Sequence, residues 1–272
     1  MVKKKKKRSY KKRANLALVL SGGAARGMAH IGVLEILQKH NISPDIVIGV
    51  SSGALVGGMY VSGNLKKFKK VVTHKTKSQW HRIFSIWPKK GGIIQTKHIE
   101  KEMRKIIGRQ KIEDLDKKFF TGAVDLISGK NIFIGKGDLI NAILPSISIP
   151  IVFPPYRKGK MLLVDGGLED PLPIDLGFKL AKKVIAVDIT RSIDEMPKKK
   201  NYGFLSVMER VTVIVQNEIT DFFLDKYHKN LVVIRPNVNL NTLDFNRSRQ
   251  AINIGKKEAN KNIEDIKKLL KS

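Results

Sequence analysis

Position 51 is a serine set between two glycines, in Gly49-Val50-Ser51-Ser52-Gly53. The apolar run 46–50 reads as a short buried strand, and the small-residue run 54–60 reads as a tightly packed helix. A Gly-x-Ser-x-Gly string at a strand-to-helix turn is the nucleophile-elbow pattern. The turn is so sharp that the flanking positions must be nearly free of side chains, and the hydroxyl is pushed out where a substrate can reach it. The helix that follows aims its positive dipole end at the same point, which favours a developing negative charge. The chemistry on offer is acyl transfer through a serine ester. Alone, the string is equally well a turn with a packing glycine, so the chain must also supply an oxyanion hole and a base.

A second small-residue loop, Ser21-Gly22-Gly23-Ala24-Ala25-Arg26-Gly27, follows an apolar run at 14–20. It lacks the dinucleotide spacing, because Ala24 stands where the second glycine belongs when Gly22 is the first, and no Gly-Lys-Ser/Thr element is present. The amides of Gly22, Gly23 and Ala24 suit an oxyanion better. Arg26 would steady this loop, meet a substrate anion or pair on a helix face. For the base, the usual order of serine, acid and histidine leaves one histidine after Asp165, namely His228 in Lys226-Tyr227-His228-Lys229-Asn230. His30, His40, His74, His81 and His98 read as surface or helix-face residues without a shared motif. Asp165 ends an apolar strand at 161–164 and precedes Gly166 and Gly167, so it could take the Ser51 proton directly. An exposed aspartate, with a pKa of about 3.9, is a feeble base, and a drier pocket raises it. Asp-Gly-Gly is otherwise a plain turn.

The elements around these residues form a strand-helix-strand unit, with both small-residue loops at carboxyl ends of strands, where open α/β sheets hold their ligands. The patterning predicts a helix to about residue 40 and two or three helices with loops in 65–118, one of them at 97–107. Strands follow at 119–128 and 132–134, then a short helix at 138–144 and a loop holding Pro145, Pro150, Pro154 and Pro155. A helix at 175–181, a strand at 184–188, a long helix at 203–227, a strand at 231–234 and a charged amphipathic helix complete the chain. The long helix carries an apolar stripe of Phe204, Val207, Val211, Ile214, Ile219 and Phe222. The fold expected is a three-layer α/β sandwich, with a mostly parallel central sheet and helices on both faces, formed by residues 14–272 as a single domain. With no cysteine among 272 residues, disulfides and thiolate metal sites are excluded. Serine acyl transfer implies neither a metal nor an organic cofactor.

Three stretches together are similar to the patatin-like phospholipase family of serine acyl hydrolases: residues 21–27, 49–53 and Val164-Asp165-Gly166-Gly167. Ser148-Ile149-Pro150-Ile151-Val152-Phe153-Pro154-Pro155 and Pro171-Leu172-Pro173 resemble it in order and setting, and the similarity runs from about residue 15 to 255. The resemblance implies a Ser-Asp dyad without histidine, in which Ser51 is the nucleophile, Asp165 the base and the Gly22, Gly23 and Ala24 amides the oxyanion hole. Arg26, Gly27, Gly49, Gly53, Gly166 and Gly167 support these motifs. Two positions depart from the family pattern. Ala24 replaces a common glycine, which a backbone donor tolerates unless it needs a positive φ. Asp170 stands where asparagine is common and would add a charge that raises the Asp165 pKa.

The net charge of +28 is uneven. Residues 1–13, a low-complexity tail expected to be disordered, carry nine Lys/Arg and no acid, and 64–118 carry seventeen Lys/Arg against five Asp/Glu. Such an excess speaks of partners and solubility. Trp80, Phe84 and Trp87 lie inside the basic insert and would meet a bilayer interface, cap a substrate entrance or simply pack the insert onto the core. The apolar run 16–20 is shorter than the roughly 7–15 residues of a signal-peptide core, and nothing approaches the roughly 18 apolar residues of a membrane span. A cytoplasmic lipid ester hydrolase, cleaving (lyso)phospholipids or related lipids and touching the anionic inner membrane face through its lysines, is the expectation. A non-catalytic scaffold or nucleic-acid-associated protein is the rival, although aromatic stacking positions and nucleic-acid recognition motifs are lacking.

Overall fold

Alternate residues of the first strand, β1 (Ala14–Leu20), belong to two different cores: Leu16, Leu18 and Leu20 to one, Ala17 and Val19 to the other. A strand buried on both faces has to lie inside a sheet covered on both sides. The computed structural model, which describes residues 13–83, 86–89, 92–94, 96–190, 192–196 and 201–272, has that arrangement. After β1 a 3-10 turn (Ala24–Met28) leads into α1 (Ala29–Lys39), followed by β2 (Ile46–Val50) and α2 (Ser52–Val61). The basic insert comprises α3 (Leu65–His74), α4 (Lys77–Ile83), an antiparallel ribbon of β3 (Ile86–Lys89) and β4 (Gly92–Ile94), and α5 (Thr96–Ile107). Then come β5 (Lys118–Asp125), β6 (Lys130–Ile134), α6 (Leu139–Ser146), β7 (Tyr156–Lys158), β8 (Met161–Asp165), α7 (Ile174–Leu180), β9 (Ala181–Val187), α8 (Phe204–Lys226), β10 (Leu231–Ile234) and α9 (Ser248–Lys271).

The eight-stranded sheet has the order β10-β9-β1-β2-β5-β8-β7, with β6 also pairing with β5. The first five strands of that order are parallel, β6 and β8 run antiparallel to β5, and β7 pairs antiparallel with β8. Helices α1, α2, α6 and α9 fill the core on one face, and α7 with the end of α8 fills the other. The expected three-layer, mostly parallel α/β architecture is the one observed. Helices α1 and α9 cross almost backbone to backbone: a Cβ on Gly32 would lie 2.0 Å from the Ile252 carbonyl oxygen, and one on Gly255 2.1 Å from that of Ala29. The C-terminal helix thus anchors the helix that carries the glycine-rich loop.

Two expectations change. The insert contains the β3–β4 ribbon as well as helices, because β-branched and aromatic residues dominate Ile86-Trp87 and Gly92-Ile93-Ile94 and favour extended backbone. Strand β5 stops at Asp125, whose carboxylate accepts from the Ile127 and Leu162 amides and the Ser128 hydroxyl and so turns the chain early. The apolar stripe of α8 faces outward, while Val213, Gln216 and Thr220 face in. Residues 1–12 of the basic tail and Phe84 lie outside the described residues. No helix among the described residues is long and apolar enough to cross a membrane.

Candidate active site

Strands β2 and β8 meet head to head along one edge of β5. β2 pairs with β5 up to Val50 opposite Gly122, and β8, running the other way, takes over with Asp165 opposite Ala123, while β6 pairs with Thr121–Asp125 from the other side. The residue that follows β2 is Ser51 and the residue that ends β8 is Asp165, so consecutive positions of β5 bring the two together. A strand switch of this kind is invisible to local pattern, yet it is what converges two motifs more than a hundred residues apart.

Ser51 has φ 55 and ψ −123, the strained conformation of an elbow, and begins α2. Both flanking glycines are sterically required. A Cβ on Gly49 would sit 2.5 Å from the Gly53 carbonyl carbon, and one on Gly53 2.2 Å from the Leu20 carbonyl oxygen. Gly27 and Gly166 are fixed in the same way, against Ser52 and the Gly122 backbone. The strain is held by a residue that sequence reasoning missed. Ser146, fully buried at the end of α6, accepts a 2.9 Å hydrogen bond from the Ser51 amide through its Oγ. Two residues on, the Ser148 carbonyl accepts from the Asp165 amide at 3.0 Å. One short stretch therefore grips the backbone of both candidate groups. Helix α6 is in turn tied to the insert by Arg104, which forks onto the Asp138 carboxylate at 3.1 and 3.2 Å.

Asp165 is buried, and the Gly167 amide donates to its Oδ1 at 2.8 Å. Burial pushes its carboxyl up to about 6, with the Ser51 hydroxyl and the Gly167 amide pulling the other way. Asp170 is not among the causes of that rise. Its own carboxyl is lifted to about 7, first by burial and then by Asp175 and Glu169, so the expected effect of Asp170 on Asp165 is replaced by simple desolvation.

The loop of residues 22–27 runs across the face of Ser51, and a Cβ on Gly22 would lie 3.2 Å from Ser51 Cβ. The Gly22 amide is already engaged, donating to the Pro171 carbonyl at 3.3 Å, whereas the Gly23 and Ala24 amides have no protein acceptor among the described residues. Ala24 has φ 50, so the position does call for the left-handed backbone that glycine adopts freely. Arg26 is buried and donates to the Leu240 carbonyl at 3.3 Å, which ties the loop to the segment before α9. His30 lies on α1 and is wholly buried. Its Nε2 lies 3.0 Å from the Ser21 carbonyl oxygen, and burial lowers its pKa to about 4, so the neutral ring donates to the end of β1. His228 is exposed and precedes β10, which is parallel through β9 and β1 to β2. It therefore sits at the opposite end of the sheet from Ser51 and takes no part in the site.

Ser51 opens into an almost wholly apolar cavity of about 100 Å³, walled by the insert and by α2 and α6 through Leu55, Phe68, Val72, Ile99, Met103 and Ile147. Trp80 is part of that wall and stacks on Phe245, with ring centroids 5.0 Å apart. Trp80 thus both packs the insert onto Phe245 and lines the cavity, and Trp87 lies in β3. At the edge of the cavity Lys75 and Glu102 form a 2.8 Å ion pair. Among the described residues no cluster of acidic and histidine side chains could hold a metal ion.

The segment carrying this geometry is also the segment that matches known proteins. The sequence profile described as patatin-like phospholipase matches residues 18–177, which include the 22–27 loop, Ser51 and Asp165. An uncharacterized NTE family protein of Mycobacterium tuberculosis is 36% identical over 159 residues, covering 58% of this chain and 44% of that protein. A protein of Debaryomyces hansenii named lysophospholipase NTE1 is 32% identical over 198 residues, covering 70% of this chain and 12% of its own length. The aligned part thus spans less than half of either relative. In structure, VipD from Legionella pneumophila superposes with a TM-score of 0.50 at 14% identity, covering 95% of this chain and 67% of that one, a likeness of fold. By its sequence over this site, the chain belongs to the patatin-like phospholipase family.

Proposed function

We infer that the chain is a serine lipid acyl hydrolase that cleaves carboxylic esters of lysophospholipids, phospholipids or related lipids through a Ser51–Asp165 dyad. The observation that carries this reading is the meeting of β2 and β8 on β5 at the mouth of an apolar cavity. An acyl chain enters the cavity, whose lining is almost wholly apolar, and its ester carbonyl is presented to Ser51. The Ser51 Oγ attacks the carbonyl carbon as its proton passes to the Asp165 carboxylate. The Gly23 and Ala24 amides, at the start of the 3-10 turn, take the oxyanion. Collapse breaks the ester bond, Asp165 returns the proton to the leaving alkoxide, and an acyl-serine remains. Water then attacks that ester with Asp165 again as base, releasing the fatty acid. A carboxyl raised to about 6 is suited to this work, because it is ionised at neutral pH and yet is a better proton acceptor than an exposed aspartate.

The basic insert serves this domain as the wall of the acyl pocket, and the Lys/Arg excess suits an anionic lipid partner. The test is turnover of p-nitrophenyl esters of graded chain length and release of fatty acid from lysophosphatidylcholine. The wild type is expected to turn over both and Ser51→Ala neither. Equal release by the two proteins, or none by the wild type from any ester, rejects the reading.

A further inference from the structure

Helix α8 is amphipathic with its apolar side turned to solvent. Phe204 is 70% exposed, and Val207, Val211, Ile214, Val215 and Phe222 are exposed beside it, spaced along one face of the helix. Large outward apolar faces on a folded chain mark a surface that meets something. Its position says what. Two hydrogen bonds lash the N-terminal part of α8 across the site. Gln216 Nε2 donates to the Gly167 carbonyl at 2.9 Å, two residues after Asp165, and the Thr242 hydroxyl donates to Glu209 Oε1 at 2.7 Å. Each bond is next to an exposed leucine: Leu168 follows Gly167, and Leu243 follows Thr242. Leu243 is both exposed and part of the acyl cavity lining. Leu168 and Leu243 therefore stand where α8 meets the site, and Leu243 reaches the cavity at Ser51 itself. The tip of the β5–β6 hairpin, with exposed Leu126 and Ile127, projects at the same end of the sheet.

We propose that this face of α8, with Leu168 and Leu243, is the surface by which the enzyme lies on an anionic lipid layer, so that an acyl chain passes from lipid to cavity without crossing water. The charge pattern fits that occupant. In the N-terminal part of α8 the one acid, Glu209, is bonded to Thr242, while Arg210 lies against the Tyr202 ring at 5.2 Å. Lys198, Lys199 and Lys200 precede the helix in sequence, and Glu218, Asp221 and Asp225 are confined to its later turns. An apolar stripe that runs on from a basic sequence segment is the pattern of helices that lie in a membrane interface. The inference rests on the reading of Ser51 as acting on lipid esters, and it assigns that reading its direction of approach.

The test uses the whole chain and vesicles of phosphatidylcholine with phosphatidylglycerol, or of phosphatidylcholine alone. The variants are Val211→Glu with Ile214→Glu, both at exposed positions. Sedimentation with the anionic vesicles is expected to weaken about tenfold or more in the double variant, with hydrolysis of vesicle lipid falling in step. Turnover of monomeric p-nitrophenyl butyrate stays unchanged, which also reports that the variant is folded. Because the chain has no cysteine, Val207→Cys can carry a nitrobenzoxadiazole label whose emission shifts to the blue and brightens on anionic vesicles. The same label at Lys268→Cys on α9, in the other layer, does not respond. Vesicle binding that ignores the double variant, or equal responses from the two labels, overturns the proposal. A dimer in solution that the double variant splits, with no vesicle binding by the wild type, assigns the face to a second copy instead. Absence of p-nitrophenyl butyrate turnover in the wild type counts against the reading of Ser51 and leaves the vesicle result to decide the surface.

Discussion

Replacing Asp165 by asparagine is expected to stabilise the protein at alkaline pH while removing most of its turnover. The carboxyl is buried, and desolvation moves it from an ordinary 3.8 to about 6. A group with a raised folded-state pKa binds its proton more tightly in the native state. Its favourable contribution is complete below the unfolded value near 4 and is lost as the pH rises through about 6. The displacement from 3.8 to about 6 corresponds to about 3 kcal/mol of stability forgone at pH 8. Asparagine keeps an oxygen for the Gly167 amide and never ionises, so it escapes this cost. Urea denaturation of wild type and Asp165→Asn from pH 4 to pH 8 should show the stability difference growing in favour of the variant by about 3 kcal/mol, mostly between pH 4 and 6. Ser51→Ala, assayed alongside, serves as a control that keeps the carboxylate. Turnover should fall by roughly 10²–10⁴-fold in Asp165→Asn, and wild-type kcat/KM should rise with pH through about 6 to a plateau. A stability difference that stays flat with pH, or a variant that turns over normally, refutes the assignment of Asp165 as a desolvated base.

Ser146→Ala leaves the Ser51 amide without its acceptor in a dry site, which costs about 1–3 kcal/mol of stability by denaturation; kcat should fall while KM for a short soluble ester holds, as befits a positioning residue. Ile151 is a β-branched residue at φ 71, so Ile151→Gly should raise stability by about 1 kcal/mol, measured in urea, with turnover intact. Ile99→Trp places bulk in the acyl cavity from α5 and should cut kcat/KM for dodecanoyl esters about tenfold or more relative to butanoyl esters; an unchanged chain-length profile would show that the acyl chain lies elsewhere.

What was legible in the chain followed from local chemistry. Val50-Ser51-Ser52 between close-packed glycines, and an aspartate ending a strand before two glycines, are motifs whose residue types are dictated by the backbone at that spot, so they can be read without knowing what lies opposite. Strands β1, β2 and β10 were legible for the same reason, as apolar runs ended by turn residues. Ser146 was not. Its role is to accept one amide 95 residues away in sequence, and a serine in an apolar helix carries no mark of that. The burial of His30 was not legible, because the first turns of α1 are buried on all sides and leave no polar face to compare with. The period of α8 was plain, but the sign was not: Val213, Gln216 and Thr220 are less apolar than the stripe opposite them, so a rule that points apolar residues inward picks the wrong side. The sense of β8 was also hidden, since parallel and antiparallel pairing use the same apolar residues and only the register on β5 brings Asp165 to Ser51.

The central claim, that Ser51 is a nucleophile activated by Asp165, is tested most directly by following its covalent labelling with a fluorophosphonate across pH, by intact mass and peptide mapping. The prediction is one adduct per chain, on Ser51, formed at a rate that rises with pH through about 6 and falls sharply in Asp165→Asn, with no adduct in Ser51→Ala. An adduct on another residue, or a labelling rate indifferent to the Asp165 substitution, would contradict it.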